Sequence, residues 1–210
     1  MSVLNHIAYF QNSRDEVPNQ ELAKDLASRK DKAGIREIAE NLWNKNKNIQ
    51  ADCIKVLYET GYIDPALIAD YVEDYIKLLK SRNNRLVWGA MIALGVIGNL
   101  KADIIFAHLA EVQKAMDEGS VITMDNGIVT LARTASENDQ YNKTVFPYLL
   151  EHLKTCRPKE VPQHSEKTLP AVNASNKTAF VKVLEKRMED LSSAGLTRVK
   201  KVIKQAQAIS

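Results

Sequence analysis

Residues 87–98 read Val87-Trp88-Gly89-Ala90-Met91-Ile92-Ala93-Leu94-Gly95-Val96-Ile97-Gly98, an uncharged stretch in which apolar and small residues fall on every side of a helix. Its glycines and alanines let neighbouring helices approach closely. Leu94, at its centre, is one member of a series. Leu57, Leu94, Leu131 and Leu169 lie 37, 37 and 38 residues apart, and four residues after each comes Gly61, Gly98, Ala135 or Asn173, a small or helix-ending residue.

A second series keeps step with the first. Leu67-Ile68, Ile104-Ile105, Val145-Phe146 and Phe180-Val181 are apolar pairs that each belong to a further helix of the same unit. Two helices per unit give five helical hairpins at roughly 31–61, 64–98, 101–135, 139–173 and 176–208, with an extra helix near 20–30 covering the first. The joints carry turn and capping residues: Asp64-Pro65, Asn83-Asn84, Gly119-Ser120, Val161-Pro162 and Asn176. Period-two alternation is absent over any useful length, whereas Ile68, Tyr71, Val72, Tyr75, Ile76 and Leu79 repeat at three and four. The expectation is an all-α superhelix, with residues 1–210 forming a single repeat domain. Within it, 1–30 is an N-terminal segment with a capping helix, and 31–208 are the repeats.

The Ala93-Leu94-Gly95-Val96-Ile97-Gly98 core resembles the second helix of a HEAT repeat, and the likeness extends in weaker form over residues 31–208. A lone hairpin cannot cover its own apolar face, so such units stack into one continuous core. The resemblance implies that the second helices line a concave groove. Six residues before the leucine series stand Ala51, Trp88, Asp125 and Gln163, followed by Asp52, Gly89, Asn126 and His164. Arg157 comes from the loop Lys154–Gln163, which Pro158 and Pro162 stiffen. Trp88, Asp125, Asn126, Arg157, Gln163 and His164 are therefore the candidate partner-binding residues, an aromatic flanked by hydrogen-bonding groups. Three residues before the leucines stand Ile54, Met91 and Ile128, and then Glu166. That carboxylate either lies on the surface, out of register, or enters the core with Lys167, Arg157 or His164 as its partner.

Composition narrows the function further. Hydrophobic residues make up 45% and charged residues 26% of 210, with only 8 Gly and 6 Pro, as in a folded helical chain. The formal charge of +3 is too small for a strongly basic surface. The start lacks the pattern of a signal peptide and no run of eighteen uncharged apolar residues occurs, so a cytoplasmic protein with no membrane association is expected. Cys53 and Cys156 read as reduced packing residues. No HxxxH or HExxH pattern is present, and His6, His108, His152 and His164 fall on four different elements. Neither a metal, a cofactor nor a catalytic residue is therefore assigned. Function reads as non-catalytic binding or scaffolding, with another protein as partner. The alternative is nucleic-acid binding or repair, since one class of alkylpurine DNA glycosylases is also built from HEAT-like repeats. The match to it is partial: Ile92, not an acid, stands one turn after Trp88.

Overall fold

A computed structural model describes residues 2–210. Among them the chain is all helical, with no strand. The helices are α1 (Val17–Arg29), α2 (Lys32–Glu40), α3 (Lys47–Ile63), α4 (Val72–Leu78), α5 (Asn84–Ile97) and α6 (Ala102–Ala107). They continue with α7 (Leu109–Glu118), α8 (Val121–Ser136), α9 (Asp139–Thr155), α10 (Val161–Thr168), α11 (Lys177–Arg187) and α12 (Ser193–Gln207). They form five hairpins, α2 with α3, α4 with α5, the broken pair α6 and α7 with α8, α9 with α10, and α11 with α12. The fold class read from the leucine period is the one observed.

Short polar side chains set many of the helix starts, Asn83 and Ser120 among them at joints marked from the sequence. Asp31 accepts from the Gly34 N–H at 2.9 Å, Asn46 from Asn48 at 2.9 Å and Asn83 from Arg85 at 3.1 Å. Ser120 accepts from Thr123 at 3.3 Å, and Asn138 from Tyr141 at 2.9 Å. Each such cap satisfies an amide with no helical partner and stabilises its helix by about 1 kcal/mol.

The contacts group into two compact units, residues 1–130 and 131–210. In the first, α3 and α5 pack closely because glycine removes the side chain between them. A Cβ on Gly89 would sit 2.7 Å from Ile54 Cγ1, so the backbone of α5 lies directly on that side chain. On the other side of α5, a Cβ on Gly95 would meet Thr130 Oγ1 at 3.3 Å and the Asn126 carbonyl at 3.5 Å. Thr130 Oγ1 also donates to the Asn126 carbonyl at 2.9 Å and lies 3.3 Å from the Met91 carbonyl. Leu57, Leu94, Ile54 and Met91 are buried in this core, each such side chain contributing roughly 2 kcal/mol.

In the second unit the register differs from the sequence reading. Leu169 lies outside α10, in a 3-10 turn that ends the hairpin, and is only half-buried. A constant 37-residue step from Leu131 leads instead to Thr168, and from Ile128 to Ser165. Both are fully buried. The leucine and isoleucine positions of the earlier second helices are thus filled here by hydroxyl side chains. Glu166 consequently lies on the surface, its side chain 43% exposed, and Arg198 holds it through two hydrogen bonds of 2.9 and 2.6 Å. Arg198 was not among the partners that the sequence offered.

Polar groups also carry much of the packing around α10. Asn142 Nδ2 donates to the carbonyls of Ala135 at 3.2 Å and Ala171 at 2.8 Å. Its Oδ1 accepts from Asn176 Nδ2 at 2.9 Å.

Candidate binding face

In residues 1–130 the exposed side of α3 and α5 carries an aromatic group. Tyr58 is buried between two rings, Tyr62 with centroids 5.9 Å away and Trp88 at 6.3 Å. Trp88 is half-buried and Tyr62 is 58% exposed, so the group presents both a packed base and an open edge. Spacing dictates the arrangement, because Tyr58 and Tyr62 are one helical turn apart on α3.

Lys55, one turn before Tyr58, lies over its ring at 5.0 Å from the centroid. Its ammonium reaches Glu16 at 2.9 Å and Glu59 at 2.7 Å. Burial works against the charged form, but the hydrogen bonds to Glu59 and Glu16 outweigh it and hold Lys55 above its ordinary pKa. Burial pushes the Tyr58 phenol up to about 12, partly offset by Lys55. Neither group titrates near neutral pH, which fits a fixed surface better than acid–base work.

Asp125 and Asn126 are both half-buried on α8. Asn126 Nδ2 donates to the Ile122 carbonyl one turn back at 2.8 Å, leaving its carboxamide fixed along the helix. Asp52, the α3 counterpart of Gly89 and Asn126, accepts from the Tyr9 N–H at 2.7 Å and from Asn19 Nδ2 at 2.9 Å. It anchors the N-terminal segment rather than facing a partner.

The residues assigned to residues 131–210 divide differently. The loop Lys154–Gln163 is largely helical: α9 extends to Thr155, a 3-10 turn spans Pro158–Glu160, and α10 begins at Val161. Arg157 is exposed but folded back on Glu160, its Nε 2.9 Å from Oε1, and this pair holds the Glu160 carboxyl below its ordinary pKa. Gln163 is half-buried.

His164 is 1% exposed and so does not belong to an outward ridge. The constant 37-residue step accounts for this, because it aligns His164 with Cys53, Ala90 and Gly127, all buried. His164 Nδ1 lies 2.9 Å from His152 Nε2, and the ligand atoms of His152, Cys156 and His164 all fall within 4.8 Å of one another. Histidines assigned to separate elements are therefore neighbours. The missed signal was His152 and Cys156 one turn apart at a helix end, followed eight residues on by His164.

Arg187, the last residue of α11, closes this region. Its guanidinium donates to the carbonyls of Leu153 at 2.7 Å, Lys154 at 2.9 Å and Cys156 at 2.8 Å, the groups that the end of α9 leaves without helical partners. Burial raises the Cys156 pKa while Arg187 opposes the rise, so the thiol is not set up as a nucleophile. Both Cys53 and Cys156 are free and buried. A cleft between α9 and α11 is lined by the apolar Leu150, Ala179 and Val183 and the basic Lys154, Lys182, Lys186 and Arg187.

No family model matches the sequence, and no curated protein matches it. Solved structures do share the fold. An engineered protein aligns with TM-score 0.67 at 18% identity, covering 99% of this chain and 98% of that one. A designed armadillo repeat protein aligns with TM-score 0.67 at 12% identity over 97% and 98%. Another designed armadillo repeat protein, solved in complex with a (KR)4 peptide, aligns with TM-score 0.67 at 14% identity over 90% and 85%. Likeness at these identities establishes a helical-repeat fold. No helix among the described residues is long and apolar enough to cross a membrane.

Proposed function

We propose that the chain is a cytoplasmic, non-catalytic binding protein that engages an extended segment of a protein partner on the exposed face of its second helices. On this proposal residues 31–208 act as one array of repeats. The observation that carries it is the aromatic group of Tyr58, Tyr62 and Trp88, a platform with the Lys55 ammonium and its carboxylate partners Glu16 and Glu59 beside it, the composition of a binding hot spot. Asp125 and Asn126 contribute polar contacts in residues 1–130, and Arg157 and Gln163 in residues 131–210. His164 is withdrawn from the set because a partner cannot reach it. The peptide bound by a designed armadillo neighbour lends the same fold a precedent for this use.

Nucleic acid is a weaker occupant for this face. Lys55 is neutralised by two carboxylates, whereas a phosphate backbone requires unneutralised cations and shows steep salt dependence.

The test is selection of peptides from a random displayed library against the full chain, followed by affinity and thermal-stability measurements on Trp88→Ala and Tyr62→Ala. Loss of a hot-spot aromatic costs ~2 kcal/mol or more, about thirtyfold in affinity. Because Tyr62 is exposed, its variant should lose affinity while keeping the wild-type melting temperature. Wild-type affinity in both variants, combined with loss of binding on Asp70→Lys or Lys182→Glu on the outer helices, would place the site on the opposite face. A binding curve with nonspecific DNA at two salt concentrations tests the other class of partner.

A further inference from the structure

Three potential ligands from two elements converge in residues 131–210. His152 and Cys156 are i, i+4 residues at the end of α9, so they project from one face, and His164 comes from the first turn and a half of α10. Their donor atoms lie within 4.8 Å of one another, and the two imidazole nitrogens are 2.9 Å apart.

We propose that His152, Cys156 and His164 bind a single divalent ion of the zinc class, with the fourth position left to an exchangeable ligand. This proposal is independent of the binding face on α3 and α5. Two imidazoles and a thiolate are the borderline and soft donors that zinc selects over calcium or magnesium. Zinc with bonds of about 2.0–2.3 Å sets its ligand atoms roughly 3.3–3.6 Å apart around a tetrahedron. The nitrogens here are slightly closer than that and the widest separation somewhat longer, so side-chain rotations of about 1 Å bring all three into range.

The frame is already rigid. Arg187 fixes the carbonyls of Leu153, Lys154 and Cys156, and Arg157 with Glu160 closes the intervening turn. Ligands on helix ends held in this way lose little freedom on binding. His152 is half-buried, which gives the ion a path in, while His164 and Cys156 are buried. In the metal-free chain one imidazole donates its N–H to the other. Binding moves that proton to the far ring nitrogen or to solvent, and the thiol proton leaves to solvent.

The experiment uses the full chain stripped with a chelator and titrated with Zn2+, and in parallel with Co2+ as a spectroscopic probe. The expected result is one ion per chain, a raised melting temperature with Zn2+, and a thiolate-to-cobalt charge-transfer band. Cys156→Ser should abolish that band and, like His152→Ala, weaken Zn2+ binding by at least about a hundredfold, since even outer-shell changes cost up to that much. Cys53→Ser, altering the other buried thiol, should leave both readouts unchanged. Should Cys156→Ser fail to fold, His152→Ala at its half-buried position decides alone. No saturable binding by the wild type would overturn the proposal and leave a purely structural histidine pair. So would wild-type affinity in His152→Ala.

Discussion

The second helices of residues 1–130 and the corresponding helix of residues 131–210 fill the same repeat positions with opposite chemistry. In α3 and α5 those positions hold Ile54, Leu57, Met91 and Leu94, and glycine at 89 lets the helices close together. In α10 they hold Ser165 and Thr168, beside the buried His164. Ser165 Oγ turns back to the Pro162 carbonyl at 2.8 Å, but Thr168 Oγ1 is buried with no hydrogen-bond partner. The first region is thus stabilised by apolar burial, which is tolerant of direction. The second depends on hydrogen bonds whose partners must all be in place, because a half-satisfied buried network costs more than an apolar one. A repeat that accepts such residues gives up stability at positions where an aliphatic side chain would fit. That is the pattern expected where packing and a chemical site compete.

The contrast can be tested by substitution. Leu94→Ala should show the largest effect, a loss of about 4 kcal/mol through cavity formation, read by denaturant unfolding. A loss below about 1 kcal/mol would mean that α5 is not the centre of its core. Arg187→Ala should cost about 3 kcal/mol, because it removes charged hydrogen bonds to three carbonyls at the end of α9. Amide exchange around 153–157 should accelerate with it. A protected 153–157 segment in that variant would show that the clamp is dispensable.

Thr168→Val changes sign. Replacing an unsatisfied buried hydroxyl with a methyl should raise stability by about 1 kcal/mol, whereas a polar substitution in α5, such as Leu94→Thr, should lower it severalfold more than that. The smallest effect belongs to the exposed pair Glu166 and Arg198. Arg198 holds the Glu166 carboxyl below its ordinary pKa. A depressed acid contributes stability that is fully present above its unfolded value of about 4.3 and lost as pH falls through the lower folded value. Solvent screening limits the amount to about 0.5 kcal/mol. The difference in stability between wild type and Glu166→Gln should therefore shrink below that pH and in high salt.

Most of the fold was legible because apolar burial leaves a periodic trace. The leucines at 57, 94 and 131, the caps at Asn83 and Ser120, and the small residues of 87–98 each declare a position without reference to distant contacts. Legibility ended at α10, where the apolar trace disappears. Leu169 offered a hydrophobic match one residue out of step, and choosing it displaced every assignment in that helix. Glu166 was read against a core column and His164 against an exposed one. A hydroxyl in a leucine position carries no hydrophobic signal, so the true register there is set by tertiary packing. Trp88 was singled out for the ridge and is half-buried against Tyr58, but Tyr58 and Tyr62 were not singled out, since a tyrosine pair at helical spacing looks like ordinary core. The convergence of His152, Cys156 and His164 needed the turn between α9 and α10, which brings separate elements together.

The measurement that tests the 37-residue register most directly is hydrogen–deuterium exchange at the imidazole C2 position, followed residue by residue by mass spectrometry in chelator-treated protein. His6 is exposed and His164 is 1% exposed. The register through Ser165 and Thr168 therefore predicts far slower exchange at His164 than at His6, with half-buried His152 between them. Exchange at His164 as fast as at His6 would contradict it. It would also return Leu169 to the core and His164 to the surface.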